Sequence, residues 1–300
     1  MESSSPSDEA GEGARRFTFG RQRSHFKIMT NLISLVVSDV DGTLITSNHE
    51  ITPRTKRVVL GLKEHGIGFT IASSRPPRGL EMLLKALEIV LPFAPFNGAQ
   101  VATPEGRVLE KQVIPVALIN QVWVIAKEFD LNLWAYREWE WFARRRDEYV
   151  EREEHTVGFA ARIVEGIEEG FEDCPKLTVV GKPEIVALCA QRIRQKLGTE
   201  LAATQSQPRF VDITVKSANK GSVITSLSRI LQIPADRIAA IGDGPNDVEM
   251  FARAGLSIAM GNGSEAVKKA ARYVTTSNAE EGFADGIEKH ILGGAMAAGR

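Results

Sequence analysis

The stretch Leu35-Val36-Val37-Ser38-Asp39-Val40-Asp41-Gly42-Thr43-Leu44 constrains this chain more than any other. A short apolar run that stops at a Gly-Thr turn reads as a buried strand handing its last residues to a loop. Strand period two sends positions 39 and 41 to the same side, so their carboxylates are expected to share one small volume. Two such charges raise each other's pKa unless a cation or a shared proton lies between them.

The pattern recurs along the chain. Residues 68–72 form a second apolar run ending in Ser73-Ser74-Arg75-Pro76, and residues 238–241 a third ending in Gly242-Asp243-Gly244-Pro245-Asn246-Asp247. Helices are expected between them. Thr52-Pro53 supplies a cap and a first-turn proline, Leu83, Leu84 and Leu87 share a face, and residues 222–231 form a helix behind Lys220-Gly221. Strand–helix alternation predicts a parallel sheet with crossover helices, and in such sheets ligands gather beyond the carboxyl ends of the strands.

Residues 113–211 break this alternation. Two helices and several grouped strands argue for an inserted α+β domain, leaving a discontinuous core of residues 32–112 and 212–292 and tails at 1–31 and 293–300. The insert carries Trp134, Tyr136, Trp139 and Trp141, then Arg144-Arg145-Arg146. These are its richest material for substrate recognition, and equally the makings of its own apolar core.

Composition removes several function classes. Net charge is −1 with acidic and basic residues interleaved, so no basic face is offered to nucleic acid. No apolar stretch has the length of a membrane span, and residues 1–31 lack the apolar segment of a secretory signal. That stretch reads as a disordered tail, with Met29 as an alternative start. Cys174 and Cys189 make no disulfide framework, so a cytoplasmic setting is the default. Oligomeric state stays open.

Taken singly, Asp39-x-Asp41-Gly, Ser73, Lys220 and the Gly-Asp-Gly-Pro-Asn-Asp run are a turn, a helix cap, a surface lysine and a loop. Taken together they are carboxylates, a hydroxyl, an amide and a lysine at strand ends, the donor set for a hard cation and a phosphate. The ordered motifs resemble the haloacid dehalogenase superfamily of phosphohydrolases, in its Cof-type branch with a C2 (type IIB) cap. Asp-Val-Asp-Gly-Thr-Leu (39–44), Ile-Ala-Ser-Ser-Arg-Pro (71–76), Asn-Lys-Gly (219–221) and Gly-Asp-Gly-Pro-Asn-Asp-Val-Glu-Met (242–250) stand as its four motifs. Asn97-Gly98-Ala99 and Met260-Gly261-Asn262 also sit where that branch has similar residues. One departure shows: Ser74 stands where the family more often has glycine.

The resemblance implies a Rossmann-like α/β core, a cap made from the insert, and a Mg²⁺-dependent phosphatase acting on a small phosphorylated metabolite such as a sugar phosphate. It implies Asp39 as nucleophile and Asp41 as acid and base. It implies a metal held by the Asp39 carboxylate, the Asp41 backbone carbonyl and Asp243, with Asp247 as a further or outer ligand. Ser73, Ser74, Arg75, Lys220 and Asn246 are then the phosphate-binding set, and Trp134, Tyr136, Trp139, Trp141 and Arg144 the candidates for specificity. A phosphomutase of the same superfamily and a non-catalytic phosphate-binding regulator are the alternatives.

Overall fold

The computed structural model describes residues 33–137, 139–166 and 170–293. The expectations for residues 1–31 and for the tail beyond Gly293 lie outside the described residues.

Strand β1 (Leu35–Ser38) is fully buried. Val36 packs with Leu62, Ile71, Leu80 and Phe283, whereas Leu35 and Val37 pack with Val223, Ile224 and Leu227. A strand covered on both faces is what the continuous apolar run requires. Helix α1 (Pro53–Leu62) follows, its N-terminus closed by Thr52, whose hydroxyl accepts from Thr55 N at 3.1 Å. Strand β2 (Gly68–Ile71) then lies parallel to β1, with Leu35 opposite Gly68 and Ser38 opposite Ile71. Helix α2 (Glu81–Ala86) and the antiparallel hairpin of β3 (Gln100–Ala102) and β4 (Val108–Lys111) complete this segment.

The next segment builds a second sheet. Helix α3 (Val116–Glu128) leads to β5 (Asn132–Arg137), β6 (Glu140–Ala143), α4 (Glu148–Val157), β7 (Arg162–Ile163), β8 (Lys176–Val180), α5 (Pro183–Leu197), β9 (Leu201–Gln207) and β10 (Phe210–Val215). The strand order is β7-β6-β5-β8-β10-β9, with only β6 and β7 parallel. Ile119, Val122 and Ile125 of α3 and Val186, Ala190 and Ile193 of α5 bury one face of it. Trp134, Tyr136 and Trp141 lie on the other with Val150 and Phe96. This sheet runs to Val215, because Asp212 to Val215 remain paired with Thr204 to Leu201. The boundary expected at residue 211 therefore falls inside β10 and is corrected to the turn after it.

Helix α6 (Lys220–Leu231), β11 (Ile238–Gly242), α7 (Val248–Phe251), β12 (Leu256–Ala259), α8 (Glu265–Ala270), β13 (Tyr273–Val274) and α9 (Gly282–Ile287) return to the first sheet. Its order is β13-β12-β11-β1-β2, and every pair is parallel. The chain leaves β1 for β2 on one side and comes back to β11 on the other, which makes the carboxyl end of β1 the topological switch point where a ligand crevice forms. Among the described residues no helix is long and apolar enough to cross a membrane.

Candidate active site

Asp39 follows β1 directly, with its N–H donating to Ile241 O at 2.9 Å and its residue only 6% exposed. Lys220, the first residue of α6, is buried beside it. The ammonium donates to Asp39 Oδ1 and, at 2.7 Å, to Asp247 Oδ1. Asn219 caps α6 by accepting from Ser222 N at 2.9 Å, which fixes where Lys220 begins. The other oxygen of Asp247 accepts from the N–H groups of Asp243 (2.9 Å) and Gly244 (2.8 Å). Asp247 therefore braces the loop after β11 and the lysine together.

Asp243 is positioned from two sides. Thr43 Oγ1 donates to its Oδ1 at 2.9 Å, and Asn262 Nδ2 donates to its Oδ2 at 3.2 Å and to Gly42 O at 2.9 Å. Gly42 holds φ +81°, and a Cβ there would stand 2.4 Å from Asp243 Oδ2. Only glycine allows the turn to close over that carboxylate.

Oxygens of Asp39, Asp243 and Asp247 all lie within 4.8 Å of one another. Three carboxylates thus gather beside one buried ammonium, Asp39 and Asp247 buried and Asp243 half-buried. Burial pushes the Asp39 carboxyl up to about 8, Lys220 opposing and the charges of Asp247 and Asp243 adding to the rise. Asp243 is raised as well, by burial first, with Thr43 opposing and Asp247 adding. Burial works to lower the Lys220 ammonium, but Asp247 and Asp39 outweigh it and hold it above its ordinary value. A largely buried, all-oxygen anionic cluster of this kind fits a hard divalent cation.

Asp41 stands apart from this cluster, against the expectation that it would share a volume with Asp39. The strand ends at Ser38, so period two no longer applies by residue 41. The Asp41 carboxylate turns toward Arg75, which donates from Nε to Oδ2 at 2.9 Å and from Nη2 to Oδ1 at 2.6 Å, with His49 Nδ1 at 3.7 Å. Arg75, expected among the phosphate ligands, is occupied by Asp41 instead.

Ser73 lies buried two residues beyond β2, and its hydroxyl accepts from Arg75 N at 3.2 Å. The turn Phe96-Asn97-Gly98 lies against it, Asn97 N donating to Ser73 O at 2.8 Å. Asn97 takes a left-handed backbone (φ 55°, ψ 30°), and its Oδ1 accepts from Asn246 Nδ2 at 3.0 Å. A Cβ on Gly98 would meet Asn219 O at 2.6 Å. One Asn-Gly turn thus abuts the second, third and fourth motifs at once.

The aromatic residues of the insert do not come to this place. Trp134 and Trp141 are 1% and 2% exposed, their rings 4.9 Å apart and packed against Phe210 and Phe159. Trp139 covers the Gly106 turn, and Arg144 pairs with Asp130. Trp134 and Trp141 fill the insert's own core, where large rings remove the most apolar area from water, whereas Trp139 packs against the apolar cluster of the core domain. Tyr136 alone approaches, its ring 5.3 Å from the Lys176 ammonium. Lys176 donates to Ser74 O at 3.0 Å, and Glu153 of α4 is raised by burial with Lys176 and Arg75 opposing. Sequence reasoning missed Lys176, Glu153, Thr43 and His49; only Asn97 and Asn262 carried a signal, as Gly-flanked asparagines at strand-end turns.

Comparison with known proteins decides the family. The haloacid dehalogenase-like hydrolase profile matches residues 36–287. The chain belongs to this family. A Haemophilus influenzae protein provisionally named a phosphatase is 30% identical over 251 residues, covering 83% of this chain and 95% of that one. The 5-amino-6-(5-phospho-D-ribitylamino)uracil phosphatase YitU of Bacillus subtilis is 28% identical, covering 86% and 97%. The crystal structure of a haloacid dehalogenase-like hydrolase from Bacteroides thetaiotaomicron superposes with a TM-score of 0.78 at 28% identity, covering 86% and 99%. The haloacid dehalogenase-like chain is accordingly a Cof-type phosphoric monoester hydrolase with an α/β core.

Proposed function

We propose that this hydrolase removes phosphate from a small, soluble sugar or polyol phosphate through an aspartyl-phosphate on Asp39, with Mg²⁺ as its metal. The observation that carries the reading is the buried pair Asp39 and Lys220 beside Asp243 at the switch point of the sheet, with Ser73 buried just beyond the neighbouring strand β2. The relative YitU, named for a phosphate ester on a ribityl chain, supports a small ester of this class.

Asp39 attacks phosphorus, forming an O–P bond while the bond to the leaving oxygen breaks. Asp41 gives that oxygen a proton and then takes one from the water that cleaves the acyl phosphate. Arg75 occupies both Asp41 oxygens in this structure, so one of the two hydrogen bonds opens to free an oxygen for the proton while the other keeps Asp41 aimed. Ser73, Lys220 and Asn246 donate to the phosphoryl oxygens as charge builds on them. Asp39, Asp243 and the Asp41 carbonyl, with Asp247 behind, would hold Mg²⁺, which when bound offsets the repulsion between carboxylate and phosphate. Ser74 stands between Ser73 and Arg75 in the same loop, its carbonyl accepting from Lys176.

The second sheet and its helices act as a cap over the crevice, from residue 113 to the turn after β10, excluding water and reading the leaving group. Buried, unbridged Cys174 and Cys189 fit a reducing cytosol.

A panel of phosphorylated metabolites assayed with Mg²⁺ and with chelator tests the reading. Hydrolysis of sugar or polyol phosphates that is lost in chelator supports it. Equal rates with and without metal, or no hydrolysis of any ester, would refute it.

A further inference from the structure

The peptide unit between Ser74 and Arg75 is held at both ends. Its N–H donates to Ser73 Oγ at 3.2 Å, and its oxygen accepts from Lys176 Nζ at 3.0 Å. The flanking carbonyls of Ser73 and Arg75 accept from Asn97 N (2.8 Å) and Phe96 N (3.1 Å), both in the core. Three successive carbonyls of the phosphate loop are therefore pinned, and the middle one is pinned from the cap, 102 residues along the chain.

Lys176 opens β8 with its side chain only 7% exposed. Asp212 of β10, 4% exposed, pairs with it at 2.9 Å, and Thr178 Oγ1 donates to the same Asp212 oxygen at 2.9 Å. Tyr136 and Glu153 complete the surroundings. A buried ion pair contributes little to stability over well-packed apolar residues of the same volume. Holding this ammonium against the phosphate loop therefore points to a use beyond folding.

We propose that Lys176 is a positioning residue of the active site. Seated with the cap, it fixes the Ser74–Arg75 peptide, and through that peptide both the Ser73 hydroxyl and the root of the Arg75 side chain. Since Ser73 Oγ accepts from the Arg75 N–H, its own proton is left for a phosphoryl oxygen. Cap seating and assembly of the phosphate loop become one event. The proposal rests on the reading of Ser73 as a phosphate ligand.

The test uses the full chain. Lys176→Met combined with Asp212→Asn removes both charges, so neither is buried unpaired, and a thermal melt confirms folding. With p-nitrophenyl phosphate, which offers the cap no natural leaving group, this double variant should lose about 10- to 100-fold in kcat/KM, and inorganic phosphate should inhibit it correspondingly less well. Lys176→Arg, which keeps a donor, should recover much of the loss. In a Ser73→Ala background, itself down about 100-fold, adding the pair should cost no more than about twofold further. A folded double variant with wild-type kcat/KM while Ser73→Ala is impaired overturns the role of Lys176 alone, as do losses that simply multiply. A fully active Ser73→Ala overturns the phosphate-loop reading beneath it.

Discussion

Arg75 grips Asp41 with two hydrogen bonds, Nε to Oδ2 at 2.9 Å and Nη2 to Oδ1 at 2.6 Å, and Asp41 stands outside the cluster of Asp39, Asp243 and Asp247. Two aspartates one residue apart thereby acquire different surroundings. Asp39 is buried against Lys220, while the Asp41 side chain keeps 41% of its surface open to solvent. A carboxylate with solvent access and a fixed direction suits proton traffic; one buried beside an ammonium and two further carboxylates suits attack on phosphorus beside a metal.

Arg75→Ala should therefore impair leaving-group protonation more than attack. A p-nitrophenyl leaving group needs little help from an acid, whereas an alkyl phosphate needs much. The variant is expected to lose about 100-fold in kcat on an alkyl phosphate and clearly less on p-nitrophenyl phosphate. Paired kcat measurements on the two esters check this, and equal losses on both would count against Asp41 as the acid.

The acidic cluster makes a pH prediction whose sign is fixed. Asp39, ordinarily near 3.8, is pushed up to about 8 in the folded protein, so the folded state binds this proton more tightly than the unfolded chain does. Its contribution to stability is present below about pH 4 and is lost as pH rises toward 8. Asp243 is raised in the same direction. In chelator, Asp243→Asn should gain on wild type as pH rises from 5 to 8, read from urea midpoints. Mg²⁺ should raise the wild-type midpoint at pH 8 and the variant's far less. A stability difference that shrinks as pH rises would contradict the cluster's electrostatics.

Asn97 orients the Asn246 amide without standing in the opening motif. Asn97→Gly keeps the left-handed backbone at φ 55° available and removes only the side-chain acceptor. The expected outcome is a drop of about 10-fold in kcat/KM with a melting temperature close to wild type, and recovery in Asn97→Asp, which retains the acceptor. Steady-state kinetics beside a thermal melt separates this from a folding defect.

The core and its four stations were legible because each is a local pattern, an apolar run closed by a turn, and the alternation of runs with helices leaves little choice of sheet. What escaped is tertiary. The period-two argument for Asp39 and Asp41 failed since the strand stops one residue before the first of them. Arg75 carries the same charge whether it faces phosphate or Asp41, and no spacing in the sequence distinguishes the two. Lys176 opens an ordinary-looking apolar strand, and only the fold brings it to Ser74. The insert's tryptophans suit substrate contacts or a core equally well in sequence; in the fold Trp134 and Trp141 are buried with Val150 of α4, while Trp139 packs against the core domain.

The central claim is that Asp39 is the nucleophile. Asp39→Asn preserves size and hydrogen bonding to Lys220 while removing the attacking charge. With Mg²⁺ and p-nitrophenyl phosphate, the account predicts a folded variant with kcat reduced by at least about 1,000-fold. Hydrolysis by that variant at the wild-type rate would contradict it.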